Sequence, residues 1–197
     1  LDINQGCSGF IYALSVATSL IQNSCASRII IICADFYSKY ISKNDRTSRP
    51  IFSDAAAAVI LEKSQTNKIG PFIFKTSGDG GDFLTVKKGN KELYMDGPAV
   101  LKFSLNLVPE ATHELLEKAN CKKEDIDTFI FHQASAVVLN KLKKKLDILD
   151  LQWFNQIENI GNTVSATIPI AISILQNENK FSYSRKYLLM GFGVGLS

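Results

Sequence analysis

No stretch of this chain is apolar for long enough to span a membrane; the longest apolar runs are strand-length or are broken by Ser, Thr and Asn. No secretory leader pattern opens it. The four cysteines, Cys7, Cys25, Cys33 and Cys121, lack the paired spacing of a zinc finger and the density of a small secreted disulfide framework. They suit a reducing, cytoplasmic setting. Charge of one sign is also lacking: 22 Lys and Arg against 19 Asp and Glu leave +3, too little to point to nucleic acid. Short repeats and low-complexity tracts are absent. What remains is a chain of 197 residues, 46% hydrophobic, enough for the core of one large domain or two small ones.

The apolar residues are arranged in alternating strand-like and helix-like runs. "RIIIICA" (28–34) is a continuous β-branched run, which predicts a strand buried on both faces. "AAAAVILEK" (55–63), "DTFIFHQ" (127–133) and "KYLLMGFG" (186–193) read as further strands, and so does the opening "LDIN". The chain therefore starts inside a strand and stops just after one, and both ends read as cut from something longer. "GFIYALSVATSLIQN" (9–23) is apolar nearly all round and predicts a buried helix. Residues 98–119 form an amphipathic helical pattern that Pro109 is expected to split in two. Helices are also expected over 135–146 and 165–176, and "SGDGGDF" (77–83) reads as a flexible turn. Strands alternating with helices mean α/β layers.

Four short segments carry chemistry. In "NQGCSGF" (4–10), Cys7 lies between glycines at the mouth of a helix. The unpaired N–H groups and positive dipole end of that helix favour thiolate, the nucleophilic form. An inert buried thiol fits the same residues, and local sequence leaves both readings open. His132 in "FIFHQAS" follows a strand and precedes a helix, the end of a strand where open α/β sheets place ligands. The other histidine, His113, lies in a charged helix and reads as solvated. Asn162 in "NIGNTVSATIP" is either a turn or N-cap residue or a functional amide. In "GFGVGLS", Gly193 and Gly195 allow close approach of a backbone.

Taken in order, GCSGF, FHQA, GNT with SA-x-x-P, and GFGxG resemble the β-ketoacyl-acyl-carrier-protein synthase III family of the thiolase superfamily. "DRTSRPIFSDAAAAVIL" and "MDGPAVLKF" are similar to two further segments of that family, and the likeness runs from Leu1 to Ser197. The resemblance implies a thiolase-like layered α-β-α-β-α fold. Residues 1–65 would be the end of a first half carrying the nucleophile, and 66–197 a second half carrying His and Asn. It implies that Cys7 takes an acyl group from a coenzyme A thioester. His132 and Asn162 would hydrogen-bond the carbonyl of a malonyl thioester as it loses carbon dioxide, and the N–H groups of Cys7 and Val194 would form the oxyanion hole. Coenzyme A and phosphopantetheine thioesters enter as substrates, and neither a cofactor nor a metal is expected. The implied partners are acyl carrier protein, met by Lys102, Lys144 and Lys145, and a second copy of the chain in a homodimer.

The same positions discriminate among relatives. Thiolases carry a second cysteine where this chain has Gly191, and elongating ketosynthases a second histidine where it has Asn162. The chain also departs from its own family. Ser53-Asp54-Ala55 replaces Gly-Asp-Gly, Val194 replaces a glycine, and Val137 stands where the family has a carrier-contacting arginine. The lost arginine keeps two other readings open: passage of the acyl group to an oxygen or nitrogen nucleophile, and a non-catalytic or interface-forming piece.

Overall fold

The computed structural model describes residues 1–66, 68–87, 89 and 91–197. Helix α1 (Gly9–Gln22) buries Phe10, Leu14, Ala17 and Ile21, spaced to form one stripe along its axis. That stripe packs on strand β1 (Arg28–Asp35). β1 pairs antiparallel with β2 (Ala55–Glu62), from Arg28 opposite Glu62 to Asp35 opposite Ala55. Ile31 and Cys33 are buried on the face toward α1, whereas Ile30, Ile32 and, on β2, Ile60 are 59%, 72% and 60% exposed. The strand expected to be buried on both faces is therefore buried on one. In this chain helices cover a single face of the pair, and a β-branched run marks strand without marking what covers it. For the same reason α1 buries one face instead of its whole circumference.

After two short antiparallel strands, β3 (Leu84–Thr85) and β4 (Tyr94–Met95), comes α2 (Gly97–Lys118). The Asp96 carboxylate caps it by accepting from the Ala99 N–H at 2.9 Å. Pro109 does not split it; the helix runs through. A proline removes the N–H that would bond the carbonyl four residues earlier. That carbonyl belongs to Leu105, and the Lys145 ammonium donates to it at 2.6 Å instead. An amine from the neighbouring helix replaces the missing backbone donor.

Strand β5 (Thr128–Phe131), with all four residues buried, pairs in parallel with β6 (Tyr187–Met190). A parallel pair needs a crossover. It runs through α3 (Ala136–Leu146), the single turn α4 (Ile157–Ile160) and α5 (Thr167–Asn177). α3 packs on α2, and α5 packs on β5 and β2. Residues 1–4, read as a strand, form no regular element, and 78–83, read as a turn, form a 3₁₀ helix. One core cluster joins Phe10, Leu14, Ile31 and Leu61 to Ile130, Ile168 and Ala171. A second gathers Val108, Leu116, Phe129, Phe131, Leu139 and Leu142. The first cluster draws on both sides of residue 65, so α1 and the β1–β2 pair are packed directly against the segment that holds His132 and Asn162.

Candidate active site

Cys7 occupies the tight turn before α1, closed by the Gly9 N–H donating to Gly6 O at 2.7 Å. The loop after β6 is folded onto it. A methyl group on Gly193 would lie 2.6 Å from Cys7 Cβ and 2.7 Å from Sγ, and the φ of +154° would strain any other residue there. A methyl on Gly191 would lie 2.9 Å from Ser8 Cα and 3.2 Å from Cys7 O, so the position offers no room for a second thiol. Cys7 is 2% exposed. That burial pushes its thiol up to about 12, against the N–H groups of Val194 and of Cys7 itself, which pull it down; Asp35 adds to the rise. The helix end was expected to favour thiolate. Burial outweighs it, because the covering loop comes from the far end of the chain.

His132 follows β5 directly, and its N–H extends the sheet pairing by donating to Met190 O at 2.8 Å. Its Nδ1 lies 2.8 Å from Thr167 Oγ1, and Phe192 meets the ring edge-on at 5.5 Å. Burial pushes the imidazole down to about 3, with the Val164 backbone opposing, so the ring is neutral at physiological pH.

Asn162 is held at every backbone atom that can bond. Its N–H donates to Ile51 O and its carbonyl accepts from the Ser53 N–H, both at 2.8 Å. Its side-chain Oδ1 accepts from the Val164 N–H at 2.9 Å and Nδ2 donates to Ala134 O at 3.2 Å. The amide orientation is thereby set, and one Nδ2 hydrogen is left for a ligand. α5 begins only at Thr167, so Asn162 closes an Asx turn and is not a helix N-cap. Val164 itself has a φ of +54°, a left-handed conformation that a buried β-branched residue rarely adopts. The turn is strained where it serves both polar side chains.

Residues 1–80 match the profile of 3-oxoacyl-[acyl-carrier-protein (ACP)] synthase III, and residues 116–197 match the profile of its C-terminal part. Beta-ketoacyl-[acyl-carrier-protein] synthase III of Coxiella burnetii (strain CbuK_Q154) is 35% identical over all of this chain and 63% of its own length. Its counterpart in Clostridium novyi is 34% identical over all of this chain and 64% of its own. The crystal structure of the Aquifex aeolicus 3-oxoacyl-[acyl-carrier-protein] synthase III superposes with a TM-score of 0.95 at 32% identity. It is covered over 64% of its length and this chain over 100%. The chain belongs to the synthase III family. It spans somewhat less than two thirds of the length of the curated relatives it matches, and it has the family's thiolase-like fold.

Within that synthase III frame, the Val194 N–H reaches Cys7 while Phe192, in the same loop, meets the His132 ring, and Val164 links Asn162 to the Thr167–His132 pair. All three lysines are exposed, Lys102 on α2 and Lys144 and Lys145 on α3, and the Lys145 ammonium also donates to Leu105 O. Val137, in the first turn of α3, is 57% exposed. His113 is exposed, as expected of a solvated helix position. Among the other cysteines Cys33 is buried, Cys121 half-buried and Cys25 exposed. Two contributors were missed. Asp35, at the end of β1, accepts from both the N–H (3.1 Å) and the hydroxyl of Ser165. Thr167 sits against the His132 ring. The "SATIP" segment carried the signal, as a cluster of hydroxyls just before a helix.

Proposed function

We propose that the protein carrying this chain performs a decarboxylating Claisen condensation, extending an acyl-coenzyme A primer by two carbons from malonyl-acyl carrier protein. The observation that supports this reading is a buried thiol met by two N–H groups, whose covering loop also carries Phe192 onto a neutral imidazole that the Val164 turn links to an oriented amide. Cys7 sulfur attacks the primer thioester; the carbon–sulfur bond to coenzyme A breaks and coenzyme A leaves as the thiol with the proton of Cys7. The malonyl thioester then loses carbon dioxide. The electron pair of that broken bond delocalises onto the thioester oxygen, where His132 and Asn162 donate hydrogen bonds. The resulting carbanion attacks the acyl-Cys7 carbonyl, whose oxygen becomes the anion held by the N–H groups of Cys7 and Val194. Collapse expels the Cys7 thiolate, which takes a proton from solvent, and releases the 3-oxoacyl thioester.

Burial is what pushes the Cys7 thiol up to about 12. A bound thioester carbonyl adds charge at the two N–H groups only as it becomes tetrahedral, which is when the donors are worth most. Lys102 and Lys144 support docking of an acidic carrier protein through charge steering. The exposed isoleucine face of β1–β2 supports pairing with a second copy. The test is a pair of half-reactions on the complete protein. Mass spectrometry after incubation with acyl-coenzyme A is expected to place the acyl group on Cys7. His132→Ala and Asn162→Ala are expected to acylate normally yet lose about 10²–10³ in malonyl decarboxylation. Acylation of Cys7→Ala at the wild-type rate, or normal decarboxylation in both donor variants, overturns the proposal. Acylation without any malonyl-dependent carbon dioxide release would instead assign transfer to an oxygen or nitrogen nucleophile.

A further inference from the structure

His132 can donate a hydrogen bond into the site only if its proton sits on Nε2, because burial keeps the ring neutral and a neutral imidazole carries one N–H. Which nitrogen holds that proton is decided by what faces the other one. Nδ1 faces the Thr167 hydroxyl at 2.8 Å. That hydroxyl has a single proton and two acceptors within reach: Nδ1, and the Val164 carbonyl one turn back at 3.2 Å. The imidazole nitrogen is the nearer of the two. Thr167 is fully buried, so no water competes for the proton. Its position is set by α5, of which it is the first residue.

We infer that Thr167 is a positioning residue that donates its hydroxyl proton to His132 Nδ1 and so holds the ring as the Nε2–H tautomer. The inference rests on the reading of His132 as a hydrogen-bond donor to the malonyl thioester. Removing the hydroxyl has a directional consequence. The Val164 carbonyl, which the hydroxyl also reaches and which itself acts on the ring, remains as an acceptor. An acceptor there draws the proton onto Nδ1 and leaves Nε2 with a bare lone pair aimed at the substrate oxygen. Thr167→Val keeps the β-branched shape and removes only the donor. Thr167→Ser keeps the donor.

The decisive measurement is ¹⁵N NMR of the complete protein labelled at the histidine imidazoles, with His132 assigned by its loss in His132→Gln. The protonated and bare nitrogens of a neutral ring resonate far apart. The expected result is protonation of Nε2 in the wild type and in Thr167→Ser, and of Nδ1 in Thr167→Val. Alongside, Thr167→Val should acylate Cys7 at the wild-type rate and lose about 10²-fold or more in malonyl decarboxylation, with recovery in Thr167→Ser. A wild-type spectrum with the proton on Nδ1 overturns the inference, and that spectrum decides even if the valine variant does not fold. An unchanged tautomer in Thr167→Val overturns it as well. A tautomer that moves while decarboxylation stays normal upholds Thr167 as the positioning residue and removes His132 from the donor role.

Discussion

Replacing Gly193 with alanine sets a methyl group 2.6 Å from Cys7 Cβ and 2.7 Å from Sγ. Carbon atoms at rest stay ~3.5–4.0 Å apart, so either the thiol or the 193–194 peptide must retreat by about 1 Å. Overpacking of this kind costs ~1–3 kcal/mol. Alanine at a φ of +154° adds ~1–3 kcal/mol of backbone strain. At ~2–4 °C per kcal/mol for a chain of this size, Tm should fall by roughly 4–24 °C. The retreat also withdraws the Val194 N–H from the sulfur, and a misplacement of about 1 Å at a reacting centre costs ~10²-fold in rate. Gly195→Ala separates the two effects. Its φ of +79° is equally unsuited to alanine, but no atom lies within 4 Å of the new methyl group. Calorimetry and rapid-quench mass spectrometry of acyl-Cys7, on both variants of the complete protein, make the comparison. Gly195→Ala should lose stability and keep acylation, while Gly193→Ala loses both. Equal acylation rates in the two variants would refute the claim that the loop sets the thiol by direct contact.

Two further expectations follow from burial. The His132 imidazole is depressed from 6.5 to about 3 in the folded protein, so its contribution to stability is complete above pH 6.5 and is lost as pH falls through about 3. At ~1.36 kcal/mol per pH unit that contribution is worth about 5 kcal/mol; urea midpoints between pH 7 and 3 should flatten in His132→Gln, and an unchanged acid limb would contradict it. The exposed Ile30, Ile32 and Ile60 face should make the 197 residues expressed alone associate or precipitate and lack condensation activity. Sedimentation and a condensation assay check this, and a stable, active monomer would show that the face needs no partner.

Most helices and the strand ending at His132 were legible because each has its own periodicity and each chemistry-bearing residue sits at an element boundary. Cys7 was legible because glycines flank it on both sides of a helix entry. What escaped depends on partners distant in sequence. Pro109 reads as a break, and only the Lys145 amine on another helix lets α2 continue. The Cys7 thiol reads equally as activated or as inert, and only the 191–195 loop shows how deeply it is buried. The exposed face of β1 is chemically indistinguishable from a covered one, since isoleucine repeats on both sides. Thr167 carries no motif of its own; its role lies in a 2.8 Å approach across two elements.

The left-handed Val164 peptide has a consequence for affinity. Its N–H grips the Asn162 amide and its carbonyl faces the Thr167–His132 pair, so one rigid joint orients two donors that come from different elements. On the proposed mechanism the two bind a thioester oxygen as a chelating ligand with two arms would. The first hydrogen bond brings the second within reach with no further loss of freedom, because the arms were ordered when the chain folded. The two arms should therefore behave as one ligand: losing either one removes the chelate advantage along with its own bond.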